Sequence, residues 1–331
     1  MKPKLTVRSA SVRDLSRIEE IQRDGRVELS ETASRGPVRL WSLVSQTLSA
    51  ILPAFYNESL LFVVEQSGRV VGFIQAANRP AGIALAGATT LQVLNLSMAG
   101  DVDAAEVGPL LVEHLSRQAL NRGVLRLFVR LPLDDPLTPV FRTEGFRQYA
   151  IEYVLYSEGP EVRGSSLEGM RPERRKDFAL LYQLYRKVTP PAVAQVEAPT
   201  FKEWKALQGE WFGHGDFPGQ SQQQLVLDRG ELMGWLRIQR SSSTRPHSLS
   251  FMALPEGHLP EELVDYALTE LGGNPGAVWS SQRHYDSHMI EALRGRGFST
   301  LVTQALLVRE LALKVPAREK ARAKGLLPAF G

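Results

Sequence analysis

Residues 63–73 read VVEQSGRVVGF, and residues 225–235 read LVLDRGELMGW. Each stretch has two apolar runs around a short turn that contains a glycine, which is the pattern of a β-hairpin. The turn glycines, Gly68 and Gly230, are 162 residues apart. The chain therefore contains the same hairpin twice.

The repeat extends well beyond the hairpins. Four further pairs recur at spacings of 162 or 163 residues: Arg8 and Arg171, Asp14 and Asp177, Trp41 and Trp204, Gly72 and Gly234. Near the end of each half, Gly145-Phe146 returns as Gly297-Phe298. This period is the length of a domain and is far longer than that of solenoid repeats. We therefore predict two tandem domains, at 1–157 and 167–311, and a tail at 312–331.

The composition is that of an ordinary globular protein, with 43% hydrophobic and 23% charged residues among 331. The opening MKPKLTVRSASVRD lacks the apolar core of a signal peptide, and no run of 18 apolar residues occurs. We therefore expect a cytoplasmic protein that does not enter a membrane. The absence of cysteine excludes disulfides, thiolate metal sites and a thiol nucleophile.

Charge is nearly balanced within each half. Residues 1–160 hold 17 basic and 17 acidic side chains, residues 161–311 hold 17 and 18, and the tail is basic. A broad basic surface for nucleic acid is therefore not expected. We interpret the tail as a solvated segment, although it could contact an acidic partner.

The apolar periodicity predicts the same order of elements in both halves: strand, two helices, hairpin, strand, helix, strand, helix, strand. The second helix of the first half is predicted over residues 40–52, and residues 157–166 form a linker rich in glycine, serine and charge. The fold class is therefore α/β (α+β), with two similar domains, each a mixed and mainly antiparallel sheet flanked by helices.

This order resembles that of the Gcn5-related N-acetyltransferases. The Arg and Asp that open each half, the two hairpins, and the endings FRTEGF (141–146) and LRGRGF (293–298) are similar to that family's signatures. The resemblance implies acetyl-CoA as co-substrate, bound between the fourth and fifth strands. In the first half it implies that Leu94 and Leu96 contact the pantetheine, and that Val107 and Gly108 offer N–H groups to phosphate.

The cofactor turn departs from the family pattern. Asp103 and Glu106 stand where the family has a basic or amide residue and a glycine. Each carboxylate would repel a pyrophosphate by about 1 kcal/mol at a few ångströms. Alternatively, Asp101, Asp103 and Glu106 stabilise the positive end of the helix without a ligand. In the second half Gly257 alone matches the turn, and Pro260 is typical of a first helical turn.

The residues at the catalytic positions also differ from the family pattern. Phe141 and Leu293 replace the tyrosine that serves the family as general acid, and Asp134 and Asp286 replace an asparagine. We take Asp134 as the candidate catalytic residue, which would accept a proton from the attacking amine. Capping of the following short helix is the competing interpretation of this carboxylate.

Three other features were considered as sites. His284 and His288 are four residues apart, but no third ligand accompanies them, so we predict no metal. Trp41 and Trp204 are interpreted as core residues, with an acceptor pocket as the alternative. Residues 211–219 form a loop rich in glycine and aromatic residues that the first half lacks.

The resemblance implies transfer of an acetyl or acyl group from acyl-CoA to the amine of a small molecule or peptide. A non-catalytic binding or scaffold protein that has lost the cofactor site is the alternative, and an acyl or aminoacyl transferase with another donor is a third possibility. We expect a monomer, because two tandem copies can pair with each other.

Overall fold

The computed structural model describes residues 4–32, 59–78, 90–207, 221–241, 246–273 and 275–311. The predicted helix at 40–52 with Trp41, the loop at 211–219 and the tail lie outside the described residues. In the described part of the chain, no helix has the length and apolar character needed to cross a membrane.

The first half follows the predicted order of elements. Its hairpin turns at Ser67 and Gly68, both of which have positive φ. The elements are β1 (Leu5–Ser9), a 3₁₀ turn (Val12–Asp14), α1 (Leu15–Thr32), β2 (Ser59–Gln66), β3 (Arg69–Asn78), β4 (Thr90–Met98), α2 (Ala104–Asn121), β5 (Arg126–Pro132), α3 (Thr138–Thr143) and β6 (Arg147–Ser157).

The second half also follows the predicted order, with three helices instead of the predicted two before its hairpin. The elements are β7 (Met170–Pro172), a 3₁₀ turn (Arg175–Asp177), α4 (Phe178–Val188), α5 (Pro191–Glu197), α6 (Phe201–Leu207), β8 (Ser221–Asp228), β9 (Leu232–Arg240), β10 (His247–Ala253), α7 (Leu259–Leu271), β11 (Val278–Arg283), α8 (Ser287–Arg294) and β12 (Ser299–Glu310).

All twelve strands belong to one sheet, in the order β1-β2-β3-β4-β5-β12-β6-β11-β10-β9-β8-β7. Two neighbouring pairs, β4 with β5 and β10 with β11, are parallel, and the other pairs are antiparallel. This confirms the predicted mixed, mainly antiparallel sheet with flanking helices. The last strands are exchanged, because β12 lies between β5 and β6 whereas β6 lies beside β11. The division into separate domains stays a prediction.

The repeated Arg and Asp have the same structural role in both halves. Arg8 donates to Asp14 at 2.7 and 2.8 Å and also to Glu65 on the hairpin. Arg171 likewise donates to Asp177 at 2.7 and 2.9 Å and to Asp228. Each arginine therefore ties the first strand of its half to the start of the first helix and to the hairpin.

Helices cover both faces of the sheet. In β2, Val64 belongs to the same buried cluster as Leu111 of α2, whereas Val63 belongs to another cluster, which contains Ile18 of α1. This follows from the alternation of side chains along a strand. A larger cluster in the second half includes Leu181 of α4, Leu263 of α7 and Leu293 of α8. The sheet is thus buried between two helical layers in each half.

Candidate functional site

The fourth and fifth strands of the first half part after a short parallel contact. Thr90–Val93 pairs with Arg126–Val129, and both strands then continue without pairing to each other. On its other side β4 shifts register against β3 at Leu94, which is an extra residue, or β-bulge, in β4. Leu96, also predicted to contact the pantetheine, is buried in the core beneath α2.

The N-terminus of α2 uses its polar groups internally. The carboxylate of Asp103 caps the helix by accepting from Ala105 N at 2.8 Å, so this residue stabilises the helix end. The N–H of Val107 donates to Asp103 O at 3.1 Å. Gly108 is buried against α3, where an added Cβ would lie 2.7 Å from Cγ1 of Val140. The N–H of Val107 is therefore not free for a phosphate, and Gly108 has a packing role.

Asp134 does not cap the short helix that follows it. Its neighbour Asp135 accepts from Leu137 N at 2.8 Å, just before α3 begins, and burial raises the pKa of Asp135. Asp134 itself is exposed. Phe141 is fully buried and packs edge-on against Phe146 at a centroid distance of 5.2 Å. By backbone position Asp135, rather than Asp134, corresponds to Asp286, because its N–H donates to Pro132 O at the end of β5, as the N–H of Asp286 donates to Arg283 O at the end of β11.

The second half contains a pocket at the corresponding place. Here β10 and β11 pair in parallel over His247–Leu249 and Val278–Ser280 and then part. The pocket between them also reaches the end of α4 and strand β6. Its lining residues include Met252, Ser281, Arg283, Tyr285, Asp286 and, from β6, Glu152.

Asp286 is the carboxylate that lies at the N-terminus of α8. It accepts from Met289 N at 3.4 Å, which confirms a capping role for this residue. Burial raises the pKa of Asp286 to about 6. Next to it, burial also raises the pKa of Tyr285, whose hydroxyl is hydrogen-bonded to the side chain of Thr189. A carboxylate with a pKa near neutrality can accept a proton from a bound ligand.

Arg283 is held between two carboxylates at the inner end of the pocket. It donates to Glu152 and, at 3.0 Å, to Glu197 of α5. Glu197 also accepts from the hydroxyl of Tyr149 at 3.0 Å. The side chain of Arg283 is 13% exposed and that of Glu197 is fully buried. This arginine is therefore neutralised by protein carboxylates and does not provide a bare positive charge.

The N-terminus of α7 is acidic like that of α2. Its first turn contains Pro260, Glu261 and Glu262. Proline has no N–H to offer, and carboxylates complement the positive helix end. Neither helix start therefore presents the open, uncharged turn that suits a pyrophosphate.

The remaining candidates divide between core and surface. Trp204 is 1% exposed and packs against Tyr182 at a centroid distance of 5.5 Å, which confirms its interpretation as a core residue. His284 is exposed and contacts the backbone of Ile151. Within the described ranges, no three potential ligands come close enough to hold a metal ion.

Sequence reasoning missed the residues that organise the pocket. Glu152 and Glu197 are single acidic residues in a strand and a helix, and their sequence neighbourhoods carry no motif. Arg283 and Tyr285 offered a better signal, because a polar run that directly follows a buried strand is a common position for functional side chains. Within that run the sequence analysis singled out His284 and Asp286, but neither Arg283 nor Tyr285.

Two solved structures are similar to nearly the whole chain. One is a tandem GNAT protein from the clavulanic acid biosynthesis pathway, with 14% identity and a TM-score of 0.51, covering 93% of this chain and 99% of that one. The other is a GCN5-related N-acetyltransferase from Sphaerobacter thermophilus, with 12% identity and a TM-score of 0.54, covering 95% and 98%. At these identities the similarity establishes the fold. No family model and no curated protein matches the sequence.

Proposed function

Because the chain has the fold of tandem Gcn5-related N-acetyltransferases, we propose that it transfers an acyl group from acyl-CoA to an amine in the pocket of the second half. The observation that carries this proposal is the position of Asp286. Its carboxylate lines a pocket between two parting parallel strands, and burial raises its pKa to about 6.

The reaction would proceed by direct attack of the amine on the thioester. A bound ammonium must lose a proton before it can attack, and Asp286 in its charged form can accept that proton. The nitrogen then bonds to the carbonyl carbon, and the carbon–sulfur bond breaks to release CoA as its thiolate. The excess proton on the new amide nitrogen is lost to water. Since Leu293 is buried where the family has its tyrosine acid, the thiolate would take its proton from water or from Tyr285.

A non-catalytic binding protein is the second candidate, and a specific observation favours it. Asp103 caps α2, and α7 begins with Pro260, Glu261 and Glu262. The carboxylates and the proline disfavour binding of a pyrophosphate at the helix N-terminus, which is where acyl-CoA binds in this fold. On this alternative the pocket would hold a small ligand, and acetyl-CoA would not bind.

The composition of the chain suits an assay that measures released thiol. Because the protein has no cysteine, thiol release from acetyl-CoA can be followed without background from the protein. Wild type, Asp286→Asn and Asp134→Asn would be compared across a panel of small amines and peptides. Asp134 is a matched control, since it is the exposed aspartate predicted at the equivalent place in the first half.

If the proposal holds, Asp286→Asn lowers kcat by about 10²–10⁴-fold, the usual contribution of a general base, and Asp134→Asn retains the activity of the wild type. The reverse pattern would return the reaction to the first half and to Leu94, Leu96, Val107 and Gly108. Absence of turnover together with absence of acetyl-CoA binding would support the binding protein.

A further inference from the structure

The outer surface of α4 and α6 carries a group of cations without acidic partners. Helix α4 contains no acidic residue, and a run of three basic residues ends just before its cap, Asp177. Six basic side chains here are exposed, and none forms an ion pair with a described residue: Arg174, Arg175, Lys176, Arg186, Lys202 and Lys205. We call these six residues the basic face.

The acidic residues of the same segment do not balance this charge at the surface. Residues 170–207 hold four carboxylates, and each accepts a hydrogen bond from a side chain outside the basic face. The acceptor and donor pairs are Glu173 with Trp235, Asp177 with Arg171, Glu197 with Arg283, and Glu203 with Arg126. The exposed charge on the basic face is therefore positive.

The equivalent helix of the first half has a balanced surface. On α1, Arg17 pairs with Glu20 at 2.6 Å, and Arg23 lies 3.5 Å from Glu19. Alternation of charge is typical of a helix face that only contacts solvent. Because the two halves share one fold, the fold itself does not require the excess of cations on α4.

Part of the basic face also opposes the electrostatics of α4. The N-terminus of a helix is positive, so cations there are unfavourable. Arg175 and Lys176 lie in the 3₁₀ turn at this end, and the carboxylate of Asp177 is bound by Arg171. An anionic group of a partner would relieve this repulsion.

Exposed apolar side chains lie among the cations. The ammonium of Lys205 lies 5.2 Å from the ring centroid of Phe178, and the rings of Phe201 and Tyr182 are 5.5 Å apart, so α6 lies alongside α4. Leu180 is 46% exposed and Phe201 is 40% exposed. The surface therefore offers apolar contact area next to positive charge.

We propose that the basic face, together with Leu180 and Phe201, is a docking surface for an acidic segment of a partner protein that also carries apolar side chains. Carboxylates of the partner pair with the basic face, and its apolar side chains cover Leu180 and Phe201. This interaction goes beyond the proposed function and does not depend on acyl transfer.

The local structure favours a protein segment over a membrane or a nucleic acid. Amphipathic helices bind membranes by burying an apolar face in lipid, whereas the apolar face of α4, with Leu181 and Leu184, is buried in the core. Nucleic-acid binding uses a wide basic surface, but residues 161–311 hold 17 basic and 18 acidic side chains. Aromatic residues and arginine are enriched at protein interfaces.

Equilibrium binding to the full-length protein tests the proposal. The probe is a fluorescent peptide of glutamate and leucine, followed by anisotropy at about 0.15 M salt, and its neutral counterpart has glutamine in place of glutamate. One triple variant removes charge from the basic face: Arg175→Gln, Lys176→Gln and Lys205→Gln. The matched control removes as many exposed charges from the first half: Arg13→Gln, Arg122→Gln and Arg142→Gln.

We expect wild type to bind the glutamate peptide more tightly than the glutamine peptide. The basic-face variant should bind the glutamate peptide about tenfold more weakly, which corresponds to the loss of three exposed ion pairs, and the control should bind like wild type. Leu180→Ser should weaken binding by a smaller factor. Equal losses in the two triple variants would show that net charge alone attracts the peptide and would overturn the proposal.

Two competing probes complete the test. They are vesicles of phosphatidylcholine with phosphatidylserine, and a single-stranded RNA with the net charge of the peptide. We expect both to bind wild type more weakly than the glutamate peptide does. Tighter binding of either probe, lost in the basic-face variant, would assign the surface to a membrane or to RNA and overturn the proposal.

Discussion

Gly108 in helix α2 contacts Val140 in helix α3 so closely that an added Cβ would lie 2.7 Å from its Cγ1. Both residues are buried. The glycine at the position of the family's cofactor turn thus allows two helices to pack closely. This contact indicates a structural role for Gly108, which can be tested against a role in phosphate binding.

We predict that Gly108→Ala destabilises the protein, because the methyl group would be forced into Val140. Overpacking of this kind typically costs about 1–3 kcal/mol, measurable by urea unfolding. Gly159→Ala is the control, since a Cβ there meets no atom within 4 Å. If Gly108→Ala left stability unchanged but weakened acetyl-CoA binding, the phosphate role would be correct.

The paired arginine and aspartate at the start of each half predict a particular response to acid. Hydrogen bonds from Arg8 and Arg171 lower the pKa values of Asp14 and Asp177 in the folded state. Their stabilisation is therefore present above the unfolded-state value of about 4 and is lost as pH falls below it. We expect Asp14→Asn to reduce the unfolding free energy at pH 7 by about 1–3 kcal/mol.

The comparison between wild type and Asp14→Asn at several pH values is the check. The difference in unfolding free energy should shrink as pH falls from about 4 toward 2, because the Asp14 carboxylate takes up a proton in the unfolded chain while Arg8 keeps it charged in the folded protein. A difference that stays constant over that range would show that the ion pair is not its cause.

Asp286 should give the opposite dependence of stability on pH. Its folded pKa of about 6 lies above the ordinary value, so the folded state holds the proton more tightly than the unfolded state does. Stability contributed by this group is therefore lost as pH rises from about 4 to 6. His288, on the same helix, is the charge that opposes the shift.

Asp286→Asn keeps a side chain that can cap α8 and removes the buried charge. We expect it to be about 1 kcal/mol more stable than wild type at pH 7.5, as an order of magnitude for a shift of this kind, and to lose the rise in kcat that wild type should show near pH 6. Thermal unfolding and a pH profile measure the two effects. A destabilised variant with an unchanged profile would remove Asp286 from the mechanism.

The exchange of last strands predicts that the halves do not fold separately. A segment of residues 1–159 would lack β12 between β5 and β6, and a segment of 160–331 would lack β6 beside β11. Each would expose unpaired strand edges, which promote association. We expect each segment alone to aggregate or to lack a cooperative unfolding transition, and the two to form a one-to-one complex when co-expressed. A monomeric segment with cooperative unfolding would contradict this.

Local signals in the sequence were sufficient for most elements. The glycines in the two hairpin turns, Gly123 after α2, and the capping residue Asp286 before α8 mark boundaries that the backbone itself requires. Helix α2 begins at Ala104, because the preceding residue Asp103 is its cap. Capping decides such boundaries more directly than apolar periodicity does.

The arrangement between the halves could not be predicted in this way. The position of β12 between β5 and β6 depends on pairing between residues some 150 to 180 positions apart, such as Gln304 with Glu152. The sequence of an apolar strand does not indicate which strands it pairs with. Glu152 therefore gave no sign in the sequence that it would line a pocket in the other half, and the site was placed in the first half instead.

Titration of acetyl-CoA by calorimetry into wild type, Ser281→Trp and Ser97→Trp tests the location of the site most directly. Ser281 lines the pocket on β11, and Ser97 lies on β4 of the first half; both side chains are half-buried. The account predicts one equivalent bound by wild type and by Ser97→Trp, and binding at least tenfold weaker in Ser281→Trp, whose indole fills the pocket. Loss of binding in Ser97→Trp with full binding in Ser281→Trp would contradict it.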